Sequence, residues 1–136
     1  MYSIIFVGSN PSTAATSINP FDPSTKSSQT LFTWLNQANI QNPIFLNVAN
    51  QVTPHNRALT TREIKNNLSR LHLEIDVHRV LNDVRIVAVG KTAEKALTLL
   101  RLPFFSLPHP SGLNRQLNDP NFIEEKIKGL TLWVNP

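Results

Sequence analysis

A chain of 136 residues, 40% hydrophobic and 16% charged, has the length and composition of one globular domain, which excludes a disordered or fibrous protein. Thirteen Lys and Arg against nine Asp and Glu leave a net charge of +4, which permits binding to a polyanion without requiring it. Cysteine is absent, so disulfides, zinc-thiolate sites, iron–sulfur clusters and thiol nucleophiles are excluded together, and any chemistry must run on His, Asn, Asp, Ser and main-chain groups.

The first element in chain order is a strand over Ser3 to Val7, an apolar run that begins without a basic leader. Gly8-Ser9-Asn10-Pro11-Ser12 follows it directly. Leu31, Leu35 and Ala38 then form the apolar stripe of a helix, with Trp34 beside them as a core residue. A second strand, Pro43 to Val48, carries Asn47 at its end. Thr60 and Glu63 stand at capping-box spacing before Ile64, Leu68, Leu71 and Ile75, which predicts a second helix. The basic residues Arg57, Arg62, Lys65 and Arg70 read mostly as a solvated helix face, with the first two expected near the crevice. The third strand spans Val84 to Val89 and the third helix runs from about Thr92 to Leu100. A weaker strand, Phe104 to Leu107, precedes His109-Pro110-Ser111-Gly112-Leu113-Asn114-Arg115. The fourth helix starts at Asp119 as N-cap with Pro120 first, and is predicted to stop at Gly129. Leu130 to Val134 reads equally as an edge strand or a packed tail.

Strand followed by helix, repeated along the chain, implies right-handed crossovers and a mainly parallel sheet with both faces covered. The expected fold is a single-domain three-layer α/β/α sandwich over residues 1–136, with a four-stranded sheet. Ligands in such sheets bind beyond the carboxyl ends of the strands. No apolar run approaches the roughly 18 residues that span a bilayer, so a cytoplasmic, monomeric protein is expected.

Three segments fall at those strand ends. Gly8 permits a tight turn and Pro11 stiffens it, which aims Asn10 into the crevice; an ordinary strand-to-loop turn is the alternative. The Asn47 amide offers a donor and an acceptor, as reading a base edge requires, although a turn Asn reads the same way. In the loop from His109 to Arg115, the imidazole can donate to a developing negative charge, Leu113 can wedge into a base stack, and Arg115 can meet phosphate; a polar loop without a role is the other reading. His55 is a weaker candidate for a DNA contact, and Lys91 after Gly90 is a poor match to a phosphate loop.

Taken together, Gly8 to Ser12 resembles the water-activating motif of the uracil-DNA glycosylase superfamily, and His109 to Arg115 resembles its leucine-loop motif. Asn47 falls where members carry a base-recognising Asn, and Asn47 to Lys65 is similar to the mismatch-specific branch. Phe21 matches an aromatic that stacks on the flipped base, and Val89 to Ala93 matches the turn before the leucine loop. Three departures matter. Asn10 stands where the fastest members have Asp, whereas His109 follows the classical uracil branch and not the mismatch-specific one. Ser12 replaces a bulky Tyr that excludes groups on C5 of the pyrimidine, so that wall is expected to be open.

The resemblance implies a monofunctional DNA glycosylase without metal or cofactor. Asn10 would hold the attacking water and His109 would stabilise the leaving base. Gly8, Ser9, Ser12, Phe21 and Asn47 would form the base pocket, and Pro110, Ser111, Gly112, Leu113, Asn114 and Arg115 would enter DNA. The implied substrate is uracil or a 5-substituted pyrimidine, in base excision repair or in defence against phages with modified DNA. A catalytically inactive DNA-binding relative and a nucleotide-binding flavodoxin-like protein are the alternatives; the second lacks a glycine-rich phosphate loop.

Overall fold

The computed structural model describes residues 2–15, 17, 19–111 and 115–135. Strands β1 (Tyr2–Gly8), β2 (Ile44–Asn47), β3 (Asp83–Val89) and β4 (Phe105–Leu107) form one sheet in the order β2-β1-β3-β4, and every pairing is parallel. Helices α1 (Lys26–Gln37), α2 (Thr61–Arg79), α3 (Lys91–Leu99) and α4 (Pro120–Val134) supply the connections and the covering layers.

Alternation along the central strands decides which helix packs where. Ile5, Val7, Ile86 and Ala88 face a core with Ile64, Leu71 and Ile75 of α2 and Ala93, Ala96 and Leu97 of α3. Phe6, Val87 and Val89 face the other core, with Leu31, Trp34 and Leu35 of α1 and Leu130 and Val134 of α4. The sheet is therefore buried on both faces, as its β-branched run of residues requires. The three-layer expectation holds, and Trp34 is a core residue at 6% exposure.

The chain steps outward from β1 to β2 by way of α1, then returns past β1 to β3 by way of α2 on the opposite face. Connections leaving β1 and β3 thus part to opposite sides of the sheet. This reversal opens a crevice at the carboxyl ends of the strands.

Helix starts follow the predicted caps. The Thr60 side chain accepts from the Glu63 amide while Glu63 accepts from the Thr60 amide, a complete capping box, and the Asp119 side chain accepts from the Asn121 amide. Helix α4 does not stop at Gly129, however, but continues to Val134. A β-carbon at Gly129 would lie 2.9 Å from Cζ of Phe105, so the glycine allows α4 to approach the sheet and does not terminate the helix. Leu130 and Val134 are consequently buried on the inner side of that helix, and Trp133 Nε1 donates to the Ile86 carbonyl at 3.1 Å.

Arg70 is not a solvated helix residue either. It is half-buried and donates from Nη2 to the carbonyls of Asn47 and Val48, which satisfies main-chain acceptors where β2 ends, and it pairs with Glu74.

Candidate active site

A cavity of about 430 Å³ occupies the crevice. Its lining draws on the loop after β1 (Gly8 to Ser12), on the end of β2 (Asn47) and on the loop after β4 (His109, Pro110, Ser111), with Phe21 and Thr92 completing the walls. Asn10, Asn47 and His109 therefore meet at one cavity although they lie far apart in sequence. Its volume falls in the range of roughly 300–1000 Å³ typical of small-molecule pockets.

Each side chain is held by a local device. The parallel pairing of β1 and β2 continues past both strands, with the Val48 amide donating to the Gly8 carbonyl at 2.9 Å and the Ala49 amide to the Ser9 carbonyl at 3.0 Å. Asn10 leaves the strand at this clamped point. Its Nδ2 donates to the Gln51 carbonyl at 2.9 Å and to Thr53 Oγ1 at 3.5 Å, while Ser9 Oγ donates to its Oδ1 at 2.8 Å. Because a carbonyl can only accept, the amide has one orientation, and a lone pair of Oδ1 remains for a water or ligand. Ser12 Oγ accepts from the Ala14 amide at 3.1 Å, and the Thr13 amide donates to Asn56 Oδ1 at 2.8 Å, which joins this loop to the one after β2.

Phe21 has a positive φ of 53°, unusual for a bulky residue, and its ring packs on Phe45 at 5.2 Å between centroids. Neighbouring Asp22 is buried and accepts from the Ser17 amide, the Ser17 hydroxyl and the Ser24 amide. Asn47 is 4% exposed, and its Nδ2 is buried without a hydrogen-bond partner. Such a group costs about 1–3 kcal/mol if left unmet, which makes Asn47 a polar residue whose position is unexplained by packing alone.

His109 lies against Gly90, whose φ of +89° and missing side chain let the imidazole come within 3.2 Å of where a β-carbon would stand. The histidine keeps a solvent-exposed edge, yet the concave wall around it removes enough water to lower its pKa from the ordinary value by desolvation. At neutral pH it is an uncharged imidazole.

Arg57 stands at the cavity wall, with Nη1 donating to Glu63 Oε1 at 2.7 Å and to the Ala58 carbonyl at 3.0 Å. Among the described lining residues it is the lone fully charged cation, and none is lysine. No group of His, Cys, Asp and Glu suited to a metal ion occurs among the described residues, and none of their helices is long and apolar enough to cross a membrane.

The family model of the uracil DNA glycosylase superfamily matches residues 2–131. The chain belongs to the uracil DNA glycosylase superfamily. No curated protein matches it. Superfamily membership makes it a relative of DNA glycosylases, hydrolases of N-glycosyl bonds whose substrate is DNA.

Of the residues that the sequence singles out in this glycosylase relative, Gly8, Ser9, Asn10, Ser12, Phe21, Asn47, His109, Pro110 and Ser111 line the cavity. Arg115 opens a short 3-10 turn, Arg115–Asn118, and is exposed outside the lining. Gly112, Leu113 and Asn114 lie outside the described residues. His55 is exposed in another such turn, Pro54–Asn56, and is not part of the wall. Sequence reasoning missed Asp22, Thr25, Thr53, Asn56 and Thr92. Asp22 and Thr25 lie outside every motif, and Thr53, Asn56 and Thr92 fall in segments matched only as a whole, so it is the folded topology that singles all five out at the crevice.

Proposed function

We propose that this protein is a monofunctional DNA glycosylase, acting as one monomeric domain, that flips a pyrimidine nucleotide out of DNA and hydrolyses its N-glycosidic bond to leave an abasic site. The observation that carries this reading is the convergence of Asn10, Asn47 and His109 on one cavity beside the Phe21 ring.

Each residue has a role that its chemistry fits. As the bond between C1′ and N1 breaks, its electron pair passes to the base, and negative charge gathers on N1 and O2. The neutral His109 donates a hydrogen bond to that charge, a use of a fixed donor worth roughly 3–4 kcal/mol in other enzymes. Water adds to the positively charged C1′ and loses its proton to solvent; the base gains one in turn. Asn10 Oδ1 accepts from this water and orients it, but as an amide it cannot remove the proton, so turnover is slow. Phe21 stacks on the ring, and Asn47 reads its Watson–Crick edge. Leu113 fills the vacated base stack, and Arg115 meets the DNA backbone. The absence of lysine from the described lining supports hydrolysis by water over a Schiff-base route.

The substrate is uracil or a 5-substituted pyrimidine. Besides Ser12 the cavity is lined by Ala15, Asn19, Asp22, Thr25, Ser27 and Ser28, a largely polar set that supports room for a polar group on C5. Hydroxymethylated and glucosylated bases of bacteriophage DNA fit that description, so the role is either repair or phage defence. The test is incubation with oligonucleotides carrying uracil, mispaired thymine, 5-hydroxymethyluracil, 5-hydroxymethylcytosine or its glucosylated form, followed by alkali. Strand scission at the altered base supports the reading, and intact strands throughout overturn it in favour of an inactive DNA-binding relative. A screen of phage DNAs then separates defence from repair.

A further inference from the structure

The capping box at the start of α2 does more than begin a helix. Glu63 accepts from the Thr60 amide at 2.8 Å, and with the same carboxylate it accepts from both guanidinium nitrogens of Arg57, Nη1 at 2.7 Å and Nη2 at 3.2 Å. Its Oε2 also accepts from Nε2 of Gln51 at 2.9 Å. Gln51 is the residue whose carbonyl receives Nδ2 of Asn10. One carboxylate therefore ties together the helix end, the cation at the cavity wall and the loop that orients Asn10.

We propose that Glu63 is a positioning residue of the glycosylase site, acting through Gln51 on the Asn10 amide and through Arg57 on the cavity mouth. The proposal rests on the reading of Asn10 as the water-holding residue. Helix capping alone needs only the contact to the Thr60 amide; the three further hydrogen bonds go to loop residues that line the cavity or hold its lining. Residues 51–57 form a loop that is mostly exposed, held by the Thr13 amide at Asn56 Oδ1, by Asn10 at the Gln51 carbonyl and by Glu63 at the side chains of Gln51 and Arg57. Gln51, Val52 and Pro54 to Arg57 are exposed, and His55 and Asn56 have positive φ values of 53° and 57°. Thr53 is the buried exception, and its hydroxyl donates to the Arg57 carbonyl at 2.6 Å. The loop is thus pinned at Thr53 from within, at Asn56 from the loop after β1 and at Glu63 from α2. Hydrogen bonds from Arg57, first, and from the Thr60 amide hold the Glu63 carboxyl down at about 2, so the tie persists throughout the working pH range.

The experiment compares Glu63→Ala, Gln51→Ala and Glu63→Gln with Thr60→Ala, which weakens the same cap but leaves the ties to Arg57 and Gln51. Single-turnover base release, DNA affinity, thermal stability and the NMR signals of the Asn10 side-chain amide are read for each. Glu63→Ala should slow base release about ten-fold or more, the scale of a misplaced reacting group. Gln51→Ala should slow it with DNA affinity unchanged, and the double variant should be no slower than Glu63→Ala, because both act on one path. Glu63→Gln, which keeps the cap and an acceptor, should recover part of the rate. Thr60→Ala should lose stability yet keep the wild-type rate. The Asn10 amide signals should move in Glu63→Ala and stay in Thr60→Ala, a result that stands whether or not base release occurs. Equal rates in Glu63→Ala and Thr60→Ala, or unmoved Asn10 signals, overturn the proposal. A wild type that releases no base overturns the glycosylase reading instead, and the NMR arm still decides the positioning.

Discussion

The Phe21 ring stands over Gly8 so closely that a β-carbon on the glycine would lie 2.7 Å from Cζ of the ring. Glycine is thus required by an aromatic above it, at the point where β1 opens into the cavity. Gly8→Ala is expected to push Phe21 aside, with a stability loss of about 1–3 kcal/mol from overpacking. Base release should fall, and adding Phe21→Ala should cost little more, since the first substitution already displaces the ring. Thermal melts and single-turnover rates of the single and double variants check this.

His109→Ala and Asn10→Ala are each expected to lower base release by about two orders of magnitude, the scale of losing a transition-state donor or an oriented water. DNA binding should survive in both. Wild-type rates in both variants would remove the assigned chemistry.

Asn10→Asp is expected to slow this protein, although faster members of the superfamily carry Asp. The Gln51 carbonyl, 2.9 Å from Nδ2, would face a carboxylate oxygen with no proton between them. An unmet pair of this kind costs about 1–3 kcal/mol, so a loss of roughly ten-fold at pH 7 is the expected outcome. Single-turnover rates of the variant and wild type decide it; a gain in rate would mean that the introduced carboxylate turns away from Gln51.

Ser12→Tyr should abolish release of any 5-substituted base by overfilling the cavity, at roughly 1–3 kcal/mol or more, and affect plain uracil less. Equal losses on uracil and on a 5-hydroxymethyl pyrimidine would remove Ser12 as the selectivity element.

The lowered pKa of His109 sets a pH dependence. Between that value and the unfolded one near 6.5, the unfolded chain binds more protons, so stability rises with pH. The contribution is present above about pH 6.5 and is lost as pH falls through the folded value. His109→Ala should therefore destabilise less steeply than wild type on acidification, as urea midpoints across pH 5 to 8 would show.

Much of this was legible in the sequence because it is encoded locally. Apolar runs around Ile5, Leu46, Val87 and Ser106 mark the strands, and Thr60 with Glu63 marks a helix start. Asn10 and His109 follow from their place after strands combined with motif resemblance. What local pattern could not supply is long-range contact. Gly129 reads as a helix stop until Phe105 is seen beside it, and Arg70 reads as solvated until the ends of β2 come within its reach. Glu63 looks complete as a cap, and nothing in the spacing of Gln51 or Arg57 reveals that both converge on it.

The strand order has a consequence for how the protein comes into being. β1 lies between β2 and β3, so Tyr2 waits for Asp83 before its inner edge is paired, and β4, which leads to His109, can join only after β3. Non-local parallel pairing of this kind is slow to form. During synthesis the segment with Asn10 and Asn47 leaves the ribosome well before the histidine does. The cavity walls from the loops after β1 and β2 therefore emerge before His109, and the lining is complete only once β4 has joined the sheet.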